Sequence, residues 1–583
     1  MSISKATIRS IAALIILCLL APLTEPAASA SYSPPFTTLR IGLSMGANVV
    51  PSANLRNADG FGSGYDFGYF DNNRNFVPIG AWTGESAITM LMDRNMTWNQ
   101  SLDEGRGQYR EDAAGDVKVG CFHVQLNAGY ATFAEAKAET EKYQGAFVRY
   151  QSDQQKPFLV LIGQHSTRAA ANNAISSMGL SGASVNAGTS NTIAVTRTGT
   201  SVILFEFDMG STPLGVMPRP AGNEKTETWY KGYRYNGAFQ YSRRGGAELT
   251  VVQMVNIEDY VKGILPYEMN NTWPMEALKA QALCARSYAM SSLNRHSADG
   301  ADLCVLIHCQ VYQGRNAANA RTDQAVDETA GMYVTYDGRL AQTFYASTNG
   351  GASESVENVW SERIPYLRGV VDPYEMDIIP RVSNYYWRLT YTPAQITERL
   401  RSRITGFNLS TIASMRVSRY SPTGNAIEVT LTDVNGRSMT LSRRSQILAG
   451  LGTPTMRFDI GNDEWEQGSI YANEPGQQVP SDSEFFGIGA DGVATSVPGS
   501  GMYAIAGSGD TTTVEGETPT GGTQSGGNST GMINGVFVIR GAGNGHQVGM
   551  SQWGAFSMAY HHNKTFEEII YFYFTGVEIT HTR

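Results

Sequence analysis

The sequence has few cysteines, no long apolar run beyond its N-terminus and no excess of positive charge. Its 583 residues include 5 cysteines, too few for the disulfide scaffold of a small secreted domain. A net charge of −9 argues against non-specific binding to nucleic acid or anionic membranes, because both require a basic surface. We therefore expect no nucleic-acid partner, and no later segment is apolar and long enough to cross a membrane.

Residues 1–30 are typical of a secretory signal peptide. Lys5 and Arg9 form a positive segment, residues 11–23 are apolar, and Ala28-Ser29-Ala30 is a small-residue cleavage motif. We expect cleavage after Ala30, with an uncleaved anchor as the alternative. The mature protein is then extracytoplasmic.

The length predicts several domains, and the mixture of strand and helix patterns predicts a multi-domain α+β fold. Residues 476–530 have few large apolar side chains to offset the entropy of ordering, so we expect a flexible insert there. The predicted segments are a signal peptide (1–30), a β-rich N-terminal segment (31–116), a small insert (117–197), a main domain (198–475), the flexible Gly/Ser/Thr-rich insert (476–530) and a C-terminal part of the main domain (531–583).

The small insert has the predicted element order βαββαβ. Thr132 and Glu135 form a capping box at the start of its first helix, and Gly179 ends the second. Residues 191–196 are expected to form its last strand. With Phe122-His-Val-Gln-Leu at its start, the insert resembles a sporulation-related repeat (SPOR) domain, a family that binds glycan strands stripped of stem peptides. The alternative is a purely structural α+β insert.

A lone acid, Glu268, lies in an apolar, proline-bounded turn between two predicted helices. Asn256 can cap the first helix, Pro266 ends it, and Pro274 suits the first position of the second. A carboxyl group in such a turn can stay protonated near neutral pH, as a general acid must. Arg286 on the second helix could point back to bind substrate or tune the pKa of the acid. On spacing alone, a solvated glutamate and a surface arginine are the ordinary alternative.

The stretch from Tyr260 to Tyr288 closely resembles the core motif of the stage II sporulation protein D family, also called the amidase-enhancer family. The pattern matches at Tyr260, Pro266, Glu268, Met269, Trp273, Pro274, Glu276, Ala277, Leu278, Lys279, Ala280, Gln281, Ala282, Ala285, Arg286 and Tyr288. The resemblance implies that Glu268 is the catalytic acid of a lytic transglycosylase on bacterial cell-wall glycan. It would protonate the glycosidic oxygen between N-acetylmuramic acid and N-acetylglucosamine, and the muramic acid C6 hydroxyl would close on the anomeric carbon. One carboxyl can act here as acid and then as base, whereas most glycoside hydrolases need two.

Four potential metal ligands, His296, Cys304, His308 and Cys309, follow the motif. Two thiolates and two imidazoles can complete a tetrahedral zinc site, and four protein ligands would make that zinc structural. In an exported protein, Cys304 and Cys309 could instead form a disulfide or remain free thiols. Some members of the resembled family have a zinc site in this region, with a similar His-Cys-Gln-Val-Tyr run.

A polar, glycine-rich loop after Phe344 resembles a cleft segment of the same family. The resemblance implies substrate contacts by Tyr345, Ser347 and Asn349. An ordinary surface loop is the alternative.

A second glycine-rich segment, residues 541–555, resembles the family segment that lines the cleft at the end of the domain. His546, Gln552 and Trp553 suit sugar recognition, with hydrogen bonds from the first two and an apolar ring face from the third. Gln547 stands where the family has glycine, so a positive φ at this position would cost strain.

Three functions follow from these observations. The first is an exported peptidoglycan lytic transglycosylase, secreted or wall-associated, that cleaves denuded glycan strands to 1,6-anhydro-muramic ends in wall remodelling, with sporulation as one setting. The second is a non-catalytic enhancer of a separate N-acetylmuramoyl-L-alanine amidase, and the third is a structural wall-glycan-binding protein. Glu268 favours the first, because a pure enhancer has no need of this acid.

Overall fold

The computed structural model describes residues 32–461 and 530–582, apart from 112–113, 153, 209 and 361, and four short strands between residues 470 and 497. The predicted signal peptide and most of the predicted flexible insert lie outside the described residues. The part of that insert that is described forms strands, since Phe485–Ile488 pairs with Ala494–Val497. None of the helices in the described ranges combines the length and apolar composition that a membrane crossing requires. The fold is α+β with several sheets, as predicted.

A seven-stranded sheet supports the region of the motif. Its strands, in spatial order, are Leu303–Cys304, Thr38–Ser44, Leu249–Asn256, Ala238–Arg243, Leu214–Pro218, Tyr65–Phe70 and Phe76–Thr83. Three helices follow the third strand, Leu249–Asn256, in the chain: Ile257–Lys262, Leu265–Glu268 and Met275–Ser291. The last of these, the motif helix, is buried along most of its length. Its own residues are small or apolar on nearly all sides, which allows this burial. The sequence thereby places Glu268 between a sheet and a buried helix.

A ten-stranded sheet joins the predicted insert to the N-terminal segment. Its strands, in spatial order, are Ser184–Ala187, Phe122–Tyr130, Phe158–His165, Ala146–Gln151, Ile203–Asp208, Ile193–Arg197, Ala87–Met92, Ser52–Asn57, Thr228–Tyr230 and Tyr233–Tyr235. The first four strands and the helices Phe133–Thr140 and Arg168–Met178 make the predicted βαββαβ order. The strand predicted at residues 191–196 is present as Ile193–Arg197, but it is not the last strand of this unit. It pairs with Ala87–Met92 and Ile203–Asp208, and Ser184–Ala187 completes the βαββαβ order instead.

A three-stranded sheet packs beside the ten-stranded one through a small core of its own. Its strands are Gln108–Arg110, Met96–Asn99 and Lys118–Val119. Phe147 and Leu161 of the insert are buried in this core with Trp98. The insert is therefore packed into the N-terminal segment rather than tethered to it.

A second large hydrophobic core, separate from the one that contains the motif helix, lies within the predicted main domain. Its strands are Tyr386–Tyr391, Ile412–Tyr420, Ala426–Asp433, Ser438–Leu441, Phe458–Ile460, Met532–Ile533 and Val536–Ala542, and its helices are Pro393–Arg403 and Arg444–Leu451. Val536–Ala542 pairs with both Tyr386–Tyr391 and Phe458–Ile460. This long-range pairing brings the segment after residue 541 back to the motif helix.

The remaining elements are short and connect these cores. The strands are Met332–Tyr336, Arg339–Leu340, Tyr345–Ala346, Ile470–Tyr471, Gln478–Val479, Met550–Ser551 and Glu578–His581. The helices are Ala320–Glu328, Glu357–Trp360, Gln552–His561 and Phe566–Tyr573, with 3-10 turns at Gly46–Asn48, Asp103–Gly105, Arg244–Gly246, Ser297–Asp299 and Pro373–Arg381. Tyr345–Ala346 pairs in parallel with Met550–Ser551, so the two glycine-rich loops of the sequence lie side by side.

Candidate active site

Glu268 is the last residue of a one-turn helix, Leu265–Glu268, with Pro266 in its first turn. Asn256 caps the preceding helix, Ile257–Lys262, as predicted, by accepting from the backbone N–H of Glu258 at 2.9 Å. Met269 is buried behind the turn. Glu268 itself is half-buried. Its carboxyl group therefore lies in apolar surroundings and is still partly exposed to solvent.

Three donors surround the Glu268 carboxyl group. Nε2 of Gln552 donates to Oε2 and to the backbone oxygen of Glu268, both at 3.2 Å. The backbone N–H of Val311 and the hydroxyl of Tyr345 also bond to the carboxylate and lower its pKa. Burial outweighs these donors, so the pKa of Glu268 is raised above its ordinary value. Within the described ranges no ion pair includes Glu268, so a nearby charge does not set its protonation.

The Tyr345 hydroxyl is oriented by a buried glutamine. Nε2 of Gln310 donates to the Tyr345 oxygen at 2.9 Å, and the Tyr260 hydroxyl donates to Oε1 of Gln310 at 3.3 Å. Because the Tyr345 oxygen accepts from Gln310, its own proton is available to Glu268. Tyr345 was predicted to contact substrate. In the structure its hydroxyl group is a hydrogen-bond partner of Glu268.

Gln310 and Val311 were missed by the sequence reasoning, although both belong to the quoted His-Cys-Gln-Val-Tyr run. Because they directly follow Cys309, one short segment carries both a predicted metal ligand and two residues near the acid.

An aromatic wall lies beside Gln552. We use this name for Trp273, Trp553, Phe556 and Tyr560. The rings of Trp273 and Trp553 are 4.6 Å apart between centroids, and Phe556 stacks on Tyr560 at 5.2 Å. Tyr560 is 55% exposed. Sugar rings present apolar faces that pack on such surfaces, so the predicted contact by Trp553 has suitable neighbours.

The first glycine-rich loop is held by a buried carboxylate that the sequence did not reveal. Glu375 accepts from the backbone N–H groups of Asn349, Gly350 and Gly351 at 2.6, 2.9 and 3.2 Å. The Asn349 side chain is turned inward and donates to Asp372 at 2.8 Å. Asn349 therefore shapes the loop instead of reaching a ligand.

Ser347 keeps a more open position in the same loop. It is half-buried, and its backbone oxygen accepts from the N–H of Trp553 at 3.1 Å. The predicted contact residues Ser347 and Trp553 are thereby neighbours in space.

His546 is turned towards the protein. The Val548 N–H donates to its Nδ1 at 3.1 Å, so this nitrogen carries no proton. The ring packs against Trp360 at 5.1 Å between centroids. Burial, with a further contribution from Arg444, lowers the pKa of His546 to about 4. The residue is neutral near pH 7, and its contacts indicate a structural role in the second loop.

Gln547 does occupy the left-handed region, with φ of 67°. Its buried side chain compensates by bonding to three neighbours. Oε1 accepts from the Met456 N–H at 3.1 Å, and Nε2 donates to the Asn349 oxygen at 2.7 Å and to Asn425 at 3.0 Å. The glutamine side chain that stands in place of glycine thus links the second core to both glycine-rich loops.

Arg286 does not point towards Glu268, contrary to the role expected from the sequence. It is fully buried, and its guanidinium binds Glu258 in a bidentate pair with contacts of 3.0 and 2.7 Å. It also donates to the backbone oxygens of Val326 and Met332. Arg286 therefore ties the helix of Glu258 to the motif helix, and substrate cannot reach it in this structure.

The four predicted metal ligands converge. Their ligand atoms all lie within 4.8 Å of one another, with Sγ of Cys309 at 3.4 Å from Nε2 of His296 and at 3.7 Å from Nδ1 of His308. Cys304 and Cys309 are free thiols. A hydrogen bond from Cys309 lowers the pKa of Cys304, so one thiolate is favoured. This donor set fits tetrahedral zinc.

The chain is similar to known proteins over part of its length. A family model described as stage II sporulation protein matches residues 245–336. An uncharacterized protein of Brachyspira hyodysenteriae is 28% identical over 337 residues, covering 57% of this chain and 68% of that protein. The amidase enhancer of Bacillus subtilis is 35% identical over 136 residues, covering 23% of this chain and 17% of the enhancer. Stage II sporulation protein D of Bacillus subtilis is 24% identical over 344 residues, covering 56% and 76%.

Proposed function

Through the domain at residues 245–336 the chain belongs to the family of stage II sporulation protein D and the amidase enhancer, and on that premise we propose that it is a lytic transglycosylase of bacterial peptidoglycan. The observation that carries the proposal is the half-buried carboxyl group of Glu268, whose pKa burial raises. A carboxyl group with a raised pKa is protonated over a wider pH range, which general acid catalysis requires.

The reaction needs one carboxyl group in two roles. Glu268 gives its proton to the oxygen between N-acetylmuramic acid and N-acetylglucosamine, and the C1–O bond breaks. The carboxylate then takes the proton of the muramic C6 hydroxyl as that oxygen bonds to C1, which gives a 1,6-anhydro end. Gln552, Tyr345 and Val311 donate to the carboxylate and stabilise it between the two steps.

The aromatic wall and Ser347 would hold the glycan. Trp553 adjoins the acid's partner Gln552 in the chain and packs on Trp273, so a pyranose ring on this wall lies beside the reacting bond. Ser347 can add a hydrogen bond from the first glycine-rich loop, which lies beside Trp553. These contacts would fix the bond relative to the acid, which is a large part of catalysis.

We further propose that His296, Cys304, His308 and Cys309 hold a structural zinc ion. When bound, zinc would fix the loop through four protein ligands. Cys309 is followed directly by Gln310, which orients Tyr345, and by Val311, which bonds to Glu268. A well-ordered conformation of this loop would therefore hold the hydrogen-bond partners of Glu268 in position.

The proposal extends to location and substrate. Residues 1–30 would export the protein, and the SPOR-like insert would favour denuded glycan strands. The βαββαβ order of the insert supports this extension.

A second candidate is a non-catalytic enhancer of a wall amidase. One relative, 35% identical over 136 residues, carries the name amidase enhancer. An enhancer would use the same cleft to bind glycan and to present it to the separate amidase.

Mass spectrometry of products from denuded and peptide-bearing peptidoglycan tests the proposal. We expect anhydro-muramic products from the mature protein and from a Glu328→Gln control, whose half-exposed carboxylate pairs with Lys279 away from the acid. Glu268→Gln should give none while remaining folded. Reducing ends would mean a hydrolase, and no products from any folded variant would shift the function to the enhancer.

A further inference from the structure

A second cluster of potential metal ligands lies in the ten-stranded sheet. Asp93 follows the strand Ala87–Met92, His123 lies on the first strand of the insert, and Glu206 lies on Ile203–Asp208. The side chains of His123 and Glu206 are 0% exposed and that of Asp93 is 2% exposed. The cluster shares no residue with the surroundings of Glu268 or with the Cys304 loop.

The two carboxylates lack the donors that buried carboxylates normally have. Both oxygens of Glu206 and Oδ2 of Asp93 have no hydrogen-bond partner among the described residues. Buried carboxylates with so few donors destabilise the fold unless a positive charge lies beside them. Within the described residues, the groups paired with these carboxylates are His123 and, at 3.6 Å from Glu206 Oε2, Arg149.

His123 presents its second nitrogen to the same point. Its Nδ1 lies 2.7 Å from the backbone oxygen of Gly163, so the ring donates there and Nε2 faces the carboxylates. Nε2 lies 3.1 Å from Glu206 Oε1 and 3.9 Å from Asp93 Oδ1. A histidine that donates one N–H to a carbonyl and directs the other nitrogen at carboxylates has the arrangement of a metal ligand.

Two of the three ligand separations fit one bound ion, and all three lie within 4.8 Å. Atoms that each lie about 2.1 Å from one metal are at most about 4.2 Å apart, and both measured separations from His123 fall within this limit. Gly188 covers the site closely, since a Cβ there would lie 1.6 Å from Asp93 Oδ2.

The charges support a divalent ion. Arg149 and Asp208 neutralise each other at 2.6 Å, and Arg149 approaches the outer oxygen of Glu206 at 3.6 Å. Arg243 donates to the backbone oxygens of Thr189 and Thr192. A charge of +2 balances Asp93 and Glu206, whereas a protonated His123 supplies only +1.

We propose that Asp93, His123 and Glu206 bind one divalent metal ion of the zinc or manganese class. Carboxylate and imidazole ligands without sulfur suit both metals. The ion joins the insert to the strands on either side of it. Its role is structural, because the ligands are closed off from solvent.

Metal content is measured in a Cys304→Ser/Cys309→Ser protein, which removes the other ligand cluster, purified without chelators. We expect about one equivalent of metal per chain, with an X-ray absorption shell of oxygen and nitrogen only. His123→Gln should lose this metal. Asp208→Asn is the matched control, because it disturbs the same buried network and leaves the three ligands in place.

Thermal unfolding gives a second readout that does not depend on the folding of the His123→Gln or Asp208→Asn variants. In the Cys304→Ser/Cys309→Ser protein, EDTA should lower Tm, and added zinc or manganese chloride should restore it. Less than a tenth of an equivalent in the folded protein, with Tm unchanged by EDTA or by either metal, would overturn the proposal. His123 would then be an imidazolium between two carboxylates.

Discussion

Gln547 offers a quantitative test of how this protein tolerates a strained residue at its site. The residue is 2% exposed, has a φ of 67°, and makes three side-chain hydrogen bonds to Met456, Asn349 and Asn425. Each such bond contributes about 1 kcal/mol, so the three together contribute about 3 kcal/mol. The left-handed backbone of a residue with a Cβ costs about 1 kcal/mol.

We expect Gln547→Ala to lower the free energy of unfolding by about 3 kcal/mol, because it loses the bonds and keeps the strain. Gln547→Gly should lower it by about 2 kcal/mol, since glycine relieves the backbone. Urea-induced unfolding followed by tryptophan fluorescence measures both, with a common slope as the check on two-state behaviour.

Asn534→Gly is the control. Asn534 has a φ of 50° in an exposed turn, so glycine there should be neutral or slightly stabilising. If Gln547→Gly unfolds at the same or a higher urea concentration than the unmodified protein, the side-chain bonds do not offset the strain and the reasoning fails.

Three further predictions concern the acid and its supports. Burial raises the pKa of Glu268 in the folded protein. The contribution of this group to stability is therefore complete at low pH, where the carboxyl group is protonated, and is lost as pH rises through that pKa. Glu268→Gln should raise Tm at pH 8 and leave it unchanged near pH 4. Arg286→Leu should lower the free energy of unfolding by about 3–5 kcal/mol, because Glu258 is left without its partner, and a rescued stability in the Glu258→Leu/Arg286→Leu double variant would confirm the pairing in urea unfolding. Cys304→Ser should lower bound zinc and slow glycan cleavage together, and a full rate without zinc would show that Gln310 is held independently.

Local signals in the sequence predicted local structure well. The capping box of Thr132 and Glu135 is present, and Asn256 caps the helix Ile257–Lys262. Gly179 ends its helix in the left-handed region. Each of these depends on residues within a few positions, so the pattern contains the whole interaction.

Interactions across long separations were less accessible. Arg286 was expected to face Glu268, but its partner Glu258 lies 28 residues earlier in the chain, and helical spacing does not reveal which neighbour a buried face meets. Residues 191–196 have the pattern of a strand, but their pairing with Ala87–Met92 depends on a distant segment. The second core was missed because Val536–Ala542 pairs with a strand that begins at Tyr386.

The bond between Gln552 and Glu268 has a consequence for the order in which the molecule matures. The two residues are 284 positions apart, and the segment that carries Gln552 is held by the pairing of Val536–Ala542 with Tyr386–Tyr391 and of Met550–Ser551 with Tyr345–Ala346. A growing or prematurely terminated chain that lacks residue 552 has the acid without its donor. The complete cleft can therefore assemble only after residue 552 has been synthesised, and a partial chain has an incomplete cleft.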